Sequence, residues 1–176
     1  DIGDFIAIEG HLFKTKKDEK TIAAASYKLL AKAFLPLPEK WEGLQDVEER
    51  FRKRYLDLLM NPEVKDKFIK RSRIIQSIRD YLLKHKFVEV TTPTLQPLYG
   101  GASARPFKTH LNTLDTDMFL RIAPELYLKR LLAGGFERVC EFTTNFRNEG
   151  IDREHNPEFS AVEFYAAYRD YRLAMY

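Results

Sequence analysis

Cysteine is nearly missing from this sequence: Cys140 is the single one in 176 residues. That excludes an internal disulfide and any cysteine-rich zinc site. No apolar run reaches the roughly 18 residues that a membrane-crossing helix needs. No signal peptide is visible, which favours the cytosol. The glycines form neither a P-loop nor a dinucleotide fingerprint. A G-x-S-x-G elbow and a Cys–His arrangement are also missing, so chemistry through an enzyme nucleophile has no candidate. None of His11, His85, His110 and His155 pairs with another at the spacing of a zinc-binding helix. Charge of one sign is scarce too, with a net charge of +3 that reads as a solvated surface. What remains is 44% hydrophobic and 31% charged. That is the balance of a globular chain able to bury a core, in one or two domains.

The stretch from Glu141 to Tyr171 organises the rest. A strand ends in Phe146-Arg147, and a polar segment follows from Asn148 to Pro157, with Gly150 and Pro157 as turn punctuation. An aromatic-rich strand then runs from about Glu158 to Tyr168, which makes a long-looped antiparallel hairpin. Alternation puts Glu141, Thr143, Asn145 and Arg147 on one face with Phe159, Ala161, Glu163 and Tyr165. Phe142, Thr144, Phe146, Val162 and Phe164 point the other way, together with Cys140, which reads as a core thiol. The expectation is an apolar back that packs and a front able to hold a nucleotide beside a small charged molecule.

Upstream, residues 1–35 look β-rich. Phe5 to Gly10 reads as a strand, Lys14 to Lys20 as a charged turn, and Thr21 to Leu30 as a second strand. Ala23-Ala24-Ala25 would equally suit a helix. Residues 36–62 form a linker and helix, with Pro36 and Pro38 as a stiff link. Apolar spacing then predicts one helix from Asp46 to about Met60. Asn61-Pro62 opens the next helix, with Asn61 as its cap, and an apolar stripe of Phe68, Ile75, Ile78 and Leu82 carries it to about Lys84. Phe87 to Val90 is a short strand stopped before Pro93. Gly100-Gly101 taken alone marks a plain turn. Leu120 to Glu125 reads as a strand leading into a helix that Pro124 opens and Gly134-Gly135 closes.

F-R-N-E-G followed by H-N-P-E-F and E-F-Y closely resembles motif 2 of class II aminoacyl-tRNA synthetases, specifically the lysyl-tRNA synthetases. The stretches 43–59, 100–107 and 120–137 match the same family in the same order. The resemblance implies an α+β fold, a class II antiparallel sheet flanked by helices, filling 63–176 as the first half of a catalytic domain. Residues 1–35 resemble the last strands of an OB-like anticodon-binding barrel, so the chain reads as truncated at both ends, with motif 3 absent. The long helix and following strand resemble motif 1, which implies a homodimer. The implied reaction joins lysine to ATP and passes the lysyl group to tRNA, with no membrane involved. Arg147 would hold the lysine carboxylate and the α-phosphate. Glu149, His155, Asn156 and Phe159 would contact ATP. Gly101, Glu125, Glu163 and Tyr165 would hold lysine, an acid and a phenol suiting its ammonium. Mg²⁺ is expected with ATP, its acids lying outside this chain, so no metal ligand is assigned here. Thr144 stands where an arginine often occurs in the family. Two alternatives stay open: a paralogue that lysylates an elongation factor, and a non-catalytic binding or dimerisation module.

Overall fold

The computed structural model describes residues 2–35, 37 and 44–174, and the expected stiff link at Pro36 and Pro38 lies outside them. The chain divides into two compact units, Asp1–Arg73 and Ile74–Tyr176.

The first unit begins with an antiparallel hairpin of β1 (Phe5–Lys14) and β2 (Lys20–Ala31). Pairing decides the ambiguity at Ala23 to Ala25 in favour of a strand. Ala23 and Ala24 pair with His11 and Gly10 of β1, Ala25 falls at the register shift beside them, and strand pairing overrides intrinsic helix preference. Gly10 is required at the crossing, because a Cβ there would meet the Ala23 carbonyl oxygen at 2.1 Å. The turn is closed by the Thr15 hydroxyl, which accepts from the Lys17 and Glu19 amides. Leu12 and Tyr27 are among many large apolar side chains left exposed on this hairpin.

The helix expected over 46–60 is two helices, α1 (Val47–Arg52) and α2 (Arg54–Met60), broken at Lys53 with φ −114° and ψ 56°. Asp46 caps α1 by accepting from the Glu49 amide at 2.7 Å. The buried Asp57 carboxylate lies beyond the break and takes hydrogen bonds from Arg50 Nε at 2.7 Å, Asn61 Nδ2 at 2.8 Å and Arg54 Nη1. Apolar spacing is blind to such a charged hub. Burial alone would push the Asp57 carboxyl up. The Asn61 and Arg50 hydrogen bonds, with Arg54 behind them, outweigh it and hold the group below the usual range. The Asn61 side-chain amide also donates to the Leu44 carbonyl, so it ties this region together. α3 (Pro62–Lys84) starts at the proline as expected and runs from the first unit into the second. Of its apolar stripe, Leu82 is buried whereas Phe68 and Ile78 stay exposed.

The second unit continues through β3 (Val88–Glu89), β4 (Leu95–Gln96), β5 (Lys108–Leu111), β6 (Thr116–Leu120), α4 (Glu125–Ala133), β7 (Arg138–Phe146), β8 (Glu158–Ala166) and α5 (Tyr171–Ala174). Two three-stranded sheets result, ordered β3-β7-β8 and β4-β6-β5. All pairs are antiparallel except β3 with β7, which run parallel. The strand expected from Leu120 onward instead ends there. Arg121 leaves the ladder because its backbone joins the two sheets. Its amide donates to Thr94 at 2.9 Å, and its carbonyl accepts from Phe146 at 2.9 Å.

The two faces of the β7–β8 hairpin are sorted as alternation predicts, but along β7 the polar front is buried more deeply than expected and the apolar back less completely, Cys140 apart. On the polar front, Glu141, Thr143 and Asn145 are buried, whereas Phe164 on the apolar back is exposed. The back is only partly covered, by Phe87 edge-on to Phe164 and by the Arg79 guanidinium over Phe142. The front is covered by polar partners. Glu141 accepts from Arg121 Nη1 at 2.6 Å and from the Thr92 hydroxyl at 2.7 Å, and Arg121 Nε donates to the Thr144 carbonyl. A polar face can be buried when each charge finds partners of this kind.

Candidate active site

The β7–β8 register sets the site. Glu141 lies opposite Glu163, Thr143 opposite Ala161, and Asn145 opposite Phe159. Arg147 follows the end of β7, anchored by its amide to the Pro157 carbonyl at 2.8 Å. Its guanidinium stacks over the Phe159 ring, 4.9 Å from the centroid, so it covers the ring face expected for adenine. Arg147 Nε is buried without a hydrogen-bond partner, and so are Thr143 Oγ1 and Asn145 Oδ1. An unpaired buried polar atom is costly, and three in a row on one face mark hydrogen-bonding capacity left for something else.

At the other end of the row, the Tyr165 hydroxyl donates to Glu163 Oε2 at 3.2 Å. Burial pushes the Glu163 carboxyl above its usual range. Glu125 and Glu141 add to the shift, while the Tyr165 hydrogen bond and the Arg147 charge oppose it. Burial, then the Glu163 and Glu125 charges, pushes the Tyr165 phenol up as well. Two neighbouring carboxylates thus add to the cost of charge on Glu163, a cost that a cation beside it would relieve.

Glu125 opens α4 behind Pro124 and pairs with Lys129 Nζ at 2.5 Å. Gly101 sits against it: a Cβ at this position, with φ +89°, would lie 2.8 Å from Glu125 Cβ. The glycine pair is therefore a close approach between loop and helix, and not only a turn. The same loop reaches the end of β7. Arg105 accepts from the Asn148 amide at 2.8 Å, and its own amide donates to Glu149 Oε1 at 3.2 Å.

Arg147, Phe159, Glu163, Tyr165, Gly101, Glu125 and Glu149 are thus linked through one sheet face and its bordering loop. His155 and Asn156 are not drawn in; both are exposed, and His155 Nδ1 meets the Asp152 carboxylate at 2.8 Å. Hydrogen bonds from the Glu154 amide and from His155 hold the Asp152 carboxyl below its usual range. Cys140 is buried on the back of β7, and burial pushes its thiol up, so it is a core residue here. Sequence reasoning missed Thr92, Arg121 and Arg105. Thr92 lies in no matched motif, whereas Arg121 and Arg105 were visible in the 120–137 and 100–107 matches without an assigned task.

Residues 46–176 match the family of class II tRNA synthetases (D, K and N). A lysine–tRNA ligase of Carboxydothermus hydrogenoformans is 60% identical over 175 residues, which is 99% of this chain and 36% of that protein. A lysine–tRNA ligase of Thiobacillus denitrificans is 57% identical over 175 residues, covering 99% of this chain and 35% of the relative. One from Pelotomaculum thermopropionicum is 60% identical over 171 residues, 97% of this chain and 34% of the relative. The chain therefore spans about a third of the length of the curated relatives it matches. With the family match running through both sheets and every residue of the site, the chain belongs to the class II tRNA synthetases of the D, K and N group.

Proposed function

We propose that this chain supplies the ATP- and lysine-binding face of a lysine–tRNA ligase. The reaction joins the lysine carboxylate to the α-phosphate of ATP, releases pyrophosphate, and passes the lysyl group to the terminal adenosine of tRNA. Both steps are attacks by substrate oxygens, so the protein contributes positioning and charge stabilisation. The observation that carries the reading is the row from Arg147 to Glu163. A guanidinium with an unfilled buried Nε stands at one end, and a part-buried acid hydrogen-bonded to its phenol stands at the other. The planar fork of Arg147 suits a carboxylate and a phosphate oxygen together. As it turns to them it uncovers Phe159, whose ring face then takes adenine. Glu163 and Tyr165 take the side-chain ammonium, which favours lysine over the carboxylate of aspartate. Gly101 and Glu125 take the α-ammonium. Glu149, His155 and Asn156 border the nucleotide, with His155 and Asn156 moving in on the loop that now exposes them.

Among the described residues no group of three or more His, Cys, Asp or Glu is arranged to hold a metal. Mg²⁺ enters this reading with the ATP phosphates, and no step is routed through it. Residues 1–35, with the β1–β2 hairpin and its exposed apolar side chains, are read as the C-terminal part of an OB-like anticodon-binding domain. Residues 36–62 link it to the catalytic half-domain of 63–176, and α3 is read as the homodimer contact.

The test is lysine-dependent ATP–pyrophosphate exchange by the chain, with arginine and aspartate as controls and Arg147→Ala alongside. Exchange that requires lysine and disappears in the variant is expected of a self-sufficient site. If exchange is absent, the expected result is still saturable ATP and lysine binding that Arg147→Ala abolishes. Binding that ignores Arg147 would overturn the proposal.

A further inference from the structure

Asn145 has no role in the reading above, yet it has the clearest unmet need on the site face. It is only 1% exposed, and its Oδ1 accepts from nothing. It precedes Arg147 by two residues, the arginine lying just past the end of β7, and alternation puts the two side chains on the same face. Across the hairpin it faces Phe159. Thr143, the next residue along the face, is 6% exposed with an unpartnered hydroxyl. It faces Ala161, which carries a single methyl. The row thus runs from the Arg147 guanidinium, past a buried amide oxygen without a partner and a small residue, to Glu163.

An α-amino acid whose carboxylate sits on Arg147 carries its ammonium on the adjoining carbon. The first acceptor met in that direction along the strand is Asn145 Oδ1. An ammonium has three N–H donors and needs three acceptors when it is buried. Glu125 and the Gly101 carbonyl account for two in the reading above, and the third is unassigned. We infer that Asn145 is a substrate-contacting residue whose Oδ1 accepts the third hydrogen bond of the substrate α-ammonium. This rests on the lysine reading of the site. It assigns Asn145 to the invariant part of an amino acid, so Asn145 sets orientation while Glu163 sets side-chain identity. Ala161 keeps the intervening stem free of obstruction.

The test compares two probes by calorimetry on the intact chain: L-lysine, and 6-aminohexanoate, which keeps the carboxylate and the distal ammonium but lacks the α-ammonium. Asn145→Leu removes the acceptor at similar volume, and Asn145→Asp keeps an oxygen in place. Asn145→Leu is expected to weaken L-lysine by roughly ten- to a hundredfold, the range of a hydrogen bond to a charged group, and to leave 6-aminohexanoate unchanged. Asn145→Asp is expected to restore lysine binding. ATP affinity reports whether each variant keeps its fold. Equal losses for both probes, or loss in both variants with ATP binding also gone, would mean a structural role and overturn the inference. Lysine affinity unaltered by Asn145→Leu would overturn it while leaving the lysine reading intact. Failure of the unsubstituted chain to bind lysine at all would overturn both.

Discussion

Glu163 concentrates the chemistry of the site in one carboxyl. Burial makes its ionised form the costly one, and the neighbouring Glu125 and Glu141 raise that cost. The sign follows directly. The folded state holds this proton more tightly than the unfolded state. Stability contributed by Glu163 is therefore greatest below the ordinary carboxylate pKa of about 4 and falls as pH rises toward the raised folded value. A bound ammonium reverses the cost, because it favours the carboxylate. Lysine affinity is therefore expected to rise with pH through that window, with a proton released on binding. Glu163→Gln is expected to flatten the rise and weaken lysine at least about tenfold while ATP binding holds. Calorimetry in buffers of different ionisation enthalpy reads both the affinity and the proton. Equal losses for lysine and ATP would remove Glu163 from the lysine pocket. The residues of this row were legible as a set, because alternation alone gathers Glu141, Thr143, Asn145, Phe159, Glu163 and Tyr165. The raised pKa values of Glu163 and Tyr165 were not legible, since they depend on how deeply those two groups are covered.

At the scale of elements, β7 shows where sequence reasoning stopped. Period-two alternation tells which side chains share a face; what covers that face is decided by other elements. Here Thr92 follows β3 and Arg121 follows β6, and together they enclose Glu141 on the polar side. The apolar side is left half-covered. The break between α1 and α2 was illegible for a related reason. The residues from Val47 to Leu58 have good helical spacing, and the interruption accompanies a buried Asp57 that Arg50, Arg54 and Asn61 reach only in the folded unit. The buried Arg121–Glu141 pair gives a direct test. Arg121→Ala strands a buried carboxylate and is expected to cost about 3–5 kcal/mol in urea unfolding. The double replacement Arg121→Met with Glu141→Leu is expected to cost much less, because neither charge is left alone. Losses that simply add would mean that the pair is not coupled.

For the whole molecule the main fact is how much apolar surface stays uncovered. Ile74, Ile78 and Tyr81 on α3 are exposed, as are Phe5, Leu12 and Leu30 on the β1–β2 hairpin. Patches of this kind mark association surfaces or aggregation liabilities. The chain is expected to self-associate in a concentration-dependent way by sedimentation velocity, and Ile74→Asp with Ile78→Asp is expected to shift it toward monomer. A monodisperse monomer at high concentration would remove α3 as a contact surface. By itself the sequence determined the family, the β7–β8 hairpin and α4, and the membership of the polar face, whereas β4, β5 and β6 were not foreseen. Motifs, capping residues and alternation are local signals, readable within a few residues of each other. Only the tertiary structure decided which face of β7 is buried and that Arg121 joins two sheets. The tertiary structure also decided that Thr143, Asn145 and Arg147 keep unfilled buried polar atoms. Each of these depends on contacts between residues far apart in sequence, such as Thr92 with Glu141, and on desolvation, which no local pattern encodes.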